Sequence, residues 1–373
     1  MATVTVDRDR LVRTFLELVA IDSPTGQEQR IGVELERRFT ELGADVRRDG
    51  AGNLIATLAG GPGEGFLIST HMDTVGTDVG IRPIVGDDGV IRTDGSTILG
   101  ADDKAGIASC LELLTLLAEH PELPHPAIEF VVSVAEEAGL VGSRQLDVAR
   151  LRSTHGYVFD TAGAIGSITY WAPTAMDVDI TVHGRKAHAG VEPEKGVDAL
   201  RVAAEAIAAM PLGRIDEETV AGIGILASGE ARNVVSATAV LTGQARSHDQ
   251  GKLDKQLAAM RAAVDAAAQR HGATYEFLAE EIYHTYHIDP VAKPYRDAAR
   301  AIRAHGLEVI DRKSGGGTDG NFLNARGIPC VGLATGMVDE HATSEHIAID
   351  DMVAACAILL TIATQQQIAT EQP

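Results

Sequence analysis

The chain has 373 residues, and at roughly 150 residues per domain this suggests two domains or one large one, long enough to bury a real core. Hydrophobic residues make up 45% and charged residues 23%, and 32 basic against 53 acidic side chains leave a net charge of -21; this excludes disordered and collagen-like classes and, with no basic run, nucleic-acid partners. No stretch approaches the roughly 18 uncharged apolar residues of a spanning helix, and the N-terminal segment lacks a signal-peptide core, so a cytoplasmic protein without a membrane partner is expected.

In chain order, residues 9–20 place Leu11, Phe15, Leu18 and Val19 at helical spacing, and a second amphipathic helix follows near 28–42. NLIATLAG and FLISTHMD are short apolar runs that read as strands, GIASCLELLTLLAEH as a long helix and AIEFVVSVAEE as another buried strand. Helix and strand in alternation predict an α/β fold whose sheet is mixed and largely parallel. Past Trp171 the texture changes to a strand, helix, strand, strand, helix, strand series ending in ATYEFLAEEIY, which predicts a ferredoxin-like α+β domain. The expected organisation is one domain of residues 1–172 and 283–373, with a smaller domain of residues 173–282 inserted into it. Cys110, Cys330 and Cys356 are widely spaced in apolar contexts and read as reduced core residues, not as a disulfide framework or a thiolate metal site.

The chemistry-bearing residues fall at element ends. His71 and Asp73 are two apart at the end of a strand and so point to one side, a spacing that lets a carboxylate orient a metal-bound imidazole; a polar strand terminus is the plainer explanation. Asp102 and Asp103 precede the long helix, where capping explains one aspartate but not two, and a carboxylate bridging two cations would explain the second. Glu136 and Glu137 are adjacent carboxylates after a buried strand and repel each other unless a cation or shared proton relieves them. Asp160 ends a further strand, and His341 supplies a second imidazole near the C-terminus. In an α/β sheet the carboxyl ends of the strands border the ligand crevice, and this nitrogen and oxygen donor set suits Zn, and also Co or Mn.

The ordered motifs HMD, GADDKAG, AEEAG, FD and HATSE resemble the two-zinc exopeptidase and deacylase superfamily, which includes peptidase T, glutamate carboxypeptidase, aminoacylase and succinyl-diaminopimelate desuccinylase. GADDKAGIA, AHAGVEPEKGVDAL and GGGTDGNFLNARGIP are most similar to the peptidase T-like branch. The resemblance implies a zinc-exopeptidase-like catalytic domain and an inserted dimerisation or lid domain. It also implies two divalent metal ions: His71 and Asp160 on one, Glu137 and His341 on the other, and Asp102 bridging. Asp73 would orient His71, and Glu136 would be the general base acting on a metal-bridging water. The family's C-terminal ligand stands four residues before a glutamate, here Glu345, which selects His341 over His346.

The same resemblance implies that His188 reaches the partner subunit's active site in a homodimer, and that Asn233, Arg246, Gly316, Gly317 and Thr318 bind substrate, with Arg246 gripping a carboxylate. Without it, His188 and Arg246 read as ordinary surface polar residues, and the GGGTD loop lacks the ending of a phosphate-binding loop. Two features depart from the branch: the chain is somewhat short, and His346 stands where an aromatic ring is usual. The expected function is hydrolysis of a terminal amide bond of short peptides by a tripeptide-type aminopeptidase. An N-acyl amino acid deacylase or carboxypeptidase-type amidohydrolase is the alternative, and a catalytically silent metal-binding scaffold is a third reading.

Overall fold

The computed structural model describes residues 4–364. The chain begins with helices α1 (Arg8–Val19) and α2 (Gln29–Glu41) and strands β1 (Asp45–Arg48), β2 (Leu54–Leu58) and β3 (Phe66–His71). Short strands β4 (Ile84–Val85) and β5 (Val90–Arg92) precede α3 (Ala101–Glu119), β6 (Ile128–Ser133), α4 (Val141–Gln145), β7 (Gly156–Thr161) and β8 (Ser167–Ala172). Next come β9 (Thr174–His183), α5 (Ala199–Ala209), β10 (Gly213–Arg214), β11 (Thr219–Ser228), β12 (Thr238–Ser247), α6 (Gln250–His271) and β13 (Thr274–Tyr283). The final stretch holds β14 (Tyr286–His287), α7 (Lys293–Ala304), β15 (Ile310–Lys313), α8 (Asp319–Ala325) and β16 (Cys330–Ala334). It ends with β17 (Met337–Val338), β18 (His346–Ala348) and α9 (Ile349–Thr364).

These residues form two compact units: one takes in the chain up to Trp171, His287–Ser314 and the chain from Thr318, the other Ala172–Tyr286 with Gly315–Gly317. The first unit is built on a mixed sheet of order β1-β2-β6-β3-β7-β16-β8-β14, with β15 added beside β8. Strand β3 runs parallel to both β6 and β7, and β16 runs parallel to β7, whereas β1, β2 and β6 pair antiparallel. Every residue of β3 and β6 is buried, as continuous apolar runs covered on both faces require. Leu67, Val131, Val158 and Leu323 join one such cluster.

Helix α3 packs on α1, α9, β3 and β7 and is buried almost all round. Its one acidic residue beyond the first turn to be buried, Glu112, accepts hydrogen bonds from Arg10 Nε at 2.6 Å and from the Asp7 amide at 3.0 Å. A separate sheet of order β17-β18-β5-β4 has no counterpart in the sequence reading, because its strands are two or three residues long and Ile84 and Val85 are exposed. Such pieces carry too little periodicity to be seen in sequence.

The second unit is an antiparallel sheet of order β10-β11-β12-β9-β13 with α5 and α6 packed on one face. Alternation puts Val178, Ile180 and Val182 of β9 into one core with Val202, Leu241, Leu253, Met260 and Val264. The strand and helix series is the one read from sequence, with the two-residue β10 added.

His155 is 3% exposed and lies 6.1 Å, centroid to centroid, from both Phe66 and Tyr157. Burial, with Lys293 adding to it, pulls its pKa down to about 4. The unfolded chain therefore takes up this proton below about pH 6.5 while the folded chain refuses it until about pH 4, so the stability it contributes is complete above that window and lost as pH falls through it. Chelator-treated protein should lose about 2 kcal/mol between pH 7 and pH 4.5 through this group. His155→Phe should lose less by that amount in denaturant titrations at the two pH values.

Candidate metal centre

The carboxyl ends of β3, β6 and β7, the start of α3 and the hairpin between β17 and β18 bring His71, Asp102, Glu136, Glu137, Asp160 and His341 together in the first unit. His71 Nε2 lies 2.8 Å from Asp102 Oδ1 and 3.6 Å from Asp160 Oδ1. The other oxygen of Asp102 lies 3.1 Å from His341 Nε2, which is itself 3.1 Å from Glu137 Oε1. One carboxylate thus stands between two imidazoles, each with a second carboxylate beside it. Three sets of donor atoms each fit within 4.8 Å: His71, Asp102 and Asp160; Asp102, Glu137 and His341, which share Asp102 with the first; and His71, Glu136 and Glu137.

Local structure explains the neighbouring aspartates. Asp102 and Asp103 are not helical, and Asp103 Oδ1 accepts the Gly106 amide at 3.2 Å, so Asp103 caps the regular part of α3. Its Oδ2 accepts the His71 amide at 3.3 Å. Capping accounts for Asp103 and leaves the side chain of Asp102 to the cluster. Gly106 permits this close approach, since a Cβ there would lie 2.3 Å from the Phe159 carbonyl oxygen.

Asp73 contributes through two routes. His71 Nδ1 is hydrogen-bonded to the Asp73 main-chain carbonyl at 3.0 Å, while the carboxylate stands 3.4 Å from that nitrogen. The carboxylate instead accepts the amides of Glu136 at 3.0 Å and Glu137 at 3.2 Å, and the Thr25 hydroxyl at 2.8 Å. It therefore holds the turn that presents both glutamates.

The electrostatics of the cluster call for cations. Burial pushes the carboxyl groups of Glu136 and Asp160 well above the usual carboxylate range, with nearby carboxylates adding to the effect. Donation to the Asp102 and Glu137 carboxylates pushes His341 up to about 10, and Asp160 and Asp102 raise His71 despite its complete burial. Glu137 Oε1 is buried, and His341 Nε2, 3.1 Å away, faces it. Excess negative charge and two imidazoles set among buried carboxylates fit a divalent-metal site of nitrogen and oxygen donors.

The remaining residues singled out in the sequence lie elsewhere. In the second unit, His188 and Asn233 are exposed on paired segments: the Ala189 amide donates to the Asn233 carbonyl at 2.9 Å, and His188 bridges to Val234. Arg246, on β12, donates from Nη2 to Gln244 Oε1 at 2.8 Å and from Nη1 to the Gly315 carbonyl at 3.3 Å, beside Gly316 and Gly317. Gly317 has no room for a side chain, because a Cβ there would meet the Tyr283 ring at 2.4 Å. Thr318, in the first unit, caps α8 by accepting the Gly320 amide. His346 sits in β18 with Nδ1 on the Ser344 carbonyl and outside the donor sets.

Sequence reasoning missed the buried acids that brace this site. Glu345 accepts three amides at the start of α3, and Asp319 accepts the Ser133 hydroxyl at 2.6 Å. Glu28 Oε1 accepts the Ala135 amide at 3.1 Å. Their partners are largely backbone N–H groups, which leave no mark in the sequence.

Fold and site together define a metal-dependent peptidase. Residues 67–365 match the model of peptidase family M20/M25/M40, and the chain belongs to that family, in its peptidase T-like branch. It is 40% identical over 366 residues to the uncharacterised protein YqjE of Bacillus subtilis, covering 96% of this chain and 98% of that one. A tripeptidase from Staphylococcus aureus superposes with a TM-score of 0.93 at 37% identity, covering 97% and 99% of the two chains. The aminopeptidase PepT from Bacillus cereus does so with a TM-score of 0.87 at 39% identity, covering 98% and 100%.

Removing metal should lower the melting temperature. A metal held at 100 to 1,000 times its Kd contributes about 3 to 4 kcal/mol of stability, which a strong chelator abolishes. Asp102→Asn removes charge from both donor sets that contain it, so this variant should melt at the same temperature with and without chelator. A chelator shift of wild-type size in that variant would remove Asp102 from the centre.

Proposed function

We propose that the protein is a two-metal aminopeptidase that releases the N-terminal residue of short peptides, tripeptides in particular. The observation that carries the reading is Asp102, with one oxygen 2.8 Å from His71 and the other 3.1 Å from His341. His71 and Asp160 would hold one ion, Glu137 and His341 the other, with Asp102 shared. Two divalent cations bound there, zinc by the donor set, would supply Lewis acidity and lower the pKa of water.

The chain's own groups carry the proton traffic. Glu136 is buried, lies within 4.8 Å of donor atoms of His71 and Glu137 but outside the two sets that share Asp102, and has its carboxyl pushed well above the usual range by burial. It is suited to take a proton from the attacking water and pass it to the leaving amine. Arg246, whose guanidinium is steadied by Gln244 and Gly315, is suited to grip the substrate's terminal carboxylate, with Asn233 and the Gly316–Thr318 loop as further substrate contacts. The Staphylococcus relative, a tripeptidase, supports a tripeptide substrate, and the Bacillus cereus relative, an aminopeptidase, supports release from the N-terminus.

Assembly is proposed through the second unit. Beyond its short pairing with β10, the outer edge of β11 has no partner among the described residues, and Ile225 and Leu226 along it are exposed. An apolar, unpaired edge of this kind favours pairing with a second copy. In that dimer His188 would serve the partner's active site by stabilising the tetrahedral oxyanion. Three buried free cysteines and the absence, among the described residues, of a helix long and apolar enough to cross a membrane agree with the cytoplasm as its compartment.

Zinc-reconstituted protein incubated with dipeptides, tripeptides and N-acyl amino acids should release N-terminal residues from tripeptides, seen by mass spectrometry. Cleavage of acyl amino acids alone would reassign it as a deacylase. Glu136→Gln should keep its metal and lose about 10²- to 10⁴-fold in kcat, and undiminished kcat would remove Glu136 as the base. Ile225→Lys should shift the dimer toward monomer in sedimentation velocity; an unchanged dimer would place the interface elsewhere.

A further inference from the structure

We infer that Glu345 is a positioning residue of the metal centre: it fixes the loop carrying Asp102 against the hairpin carrying His341, and so sets the geometry of the ion held by Glu137 and His341. The inference deepens the two-metal reading and rests on it.

Glu345 is 1% exposed, and all of its hydrogen bonds to the start of α3 go to backbone amides. Its Oε2 accepts the amides of Leu99 and Gly100, each at 2.7 Å, and its Oε1 accepts the amide of Asp102 at 3.1 Å. These are unsatisfied donors at the beginning of a helix, and an acceptor with two charged oxygens satisfies three of them at once. Gly100 takes a left-handed conformation, with φ of 73°, so this turn does not follow regular helix geometry and depends on what grips it.

The other end of the connection is equally firm. Glu345 immediately precedes β18, where His346 and Ile347 are paired with Arg92 and Ile91 of β5 on one side, and with Val338 and Met337 of β17 on the other. The hairpin between β17 and β18 carries His341 and is closed by the Ala342 amide on the Asp339 carbonyl and by the Ser344 hydroxyl on the Asp339 carboxylate at 3.0 Å. One buried carboxylate therefore ties the segment of Asp102 to the segment of His341, across 243 residues of sequence. It spans the 3.1 Å contact between Asp102 Oδ2 and His341 Nε2. His71 and Asp160 sit on β3 and β7, which are paired with each other, so two of the three donors of their set have support of their own, whereas His341 depends on the hairpin that Glu345 anchors.

The asymmetry gives a result that a general loss of stability would not. A glutamine keeps one acceptor oxygen and turns an NH2 group toward the remaining amide, so Glu345→Gln weakens the tie and Glu345→Ala removes it. The test is competition for zinc between a chromogenic chelator and full-length wild type, Glu345→Gln, Glu345→Ala and Asp102→Asn, with bound metal counted by atomic emission and each metal-free protein melted as a control. In Glu345→Gln the metal-free melting temperature should stay near wild type. One zinc equivalent should bind with near wild-type affinity and the other about 10- to 100-fold more weakly, and excess zinc should restore kcat with KM unchanged. Two wild-type affinities in Glu345→Ala overturn the inference, as does equal weakening of both equivalents alongside a lowered metal-free melting temperature. Wild-type zinc binding by Asp102→Asn would show that the two-metal reading itself has failed, and the role of Glu345 with it.

Discussion

An ionised carboxylate moved out of water loses several kcal/mol of hydration, and like charges brought together lose more. Around one crevice the first unit buries Asp73, Asp102, Asp103, Glu136, Asp160, Asp319 and Glu345. Each must be neutralised, paired or hydrogen-bonded. Five of them, with the half-buried Glu137 beside them, fall into two groups. Asp73, Asp103 and Glu345 spend their oxygens chiefly on backbone amides. Asp102, Glu137 and Asp160 face the imidazoles, where a divalent cation is the group that relieves their repulsion best. The parallel strands β3, β6 and β7 make this possible, because they end side by side and deliver His71, the two glutamates and Asp160 to one place.

Much of this was legible in the sequence. The strands FLISTH and IEFVVS are apolar runs whose only strongly polar letters come at their ends or just past them, so the placement of His71, Glu136 and Glu137 beyond a buried core could be read directly. The second unit was legible because its strands alternate and its helices are alanine-rich stretches of eleven residues or more. The small sheet containing β4 and β5 was not, since two- and three-residue strands have no period to detect. Helix-start spacing by itself could not tell Asp102 from Asp103; the family resemblance selected Asp102. Adjacent identical letters at a helix start differ only in backbone conformation, and φ and ψ are settled by contacts distant in sequence.

The braces were hidden for a different reason. Glu345 was used in sequence only as a spacing mark for His341, and Asp73 only as a partner for His71. Their main partners turn out to be amides of Leu99, Gly100, Asp102, Glu136 and Glu137, a kind of donor that almost every residue possesses. A side chain that binds backbone has no complementary letter elsewhere in the chain, so pattern reading cannot pair it. The same applies to Glu28 on the amide of Ala135.

Taken in order, those contacts explain why the motifs exist as motifs. HMD pairs His71, which faces the cluster, with Asp73, which grips the segment AEE. GADD pairs Asp102 with Asp103, which grips the amide of His71 within HMD. HATSE pairs His341 with Glu345, which grips the turn of GADD. Each of these three motifs thus combines one residue aimed at the cluster with one carboxylate that fixes a different motif's backbone. Neither member of a pair can be displaced along the chain without moving the other, so the spacing inside each motif is set by geometry on both sides. The precision that metal chemistry requires, a few tenths of an ångström in ligand position, is reached by letting three loops hold one another instead of relying on any one of them to be stiff.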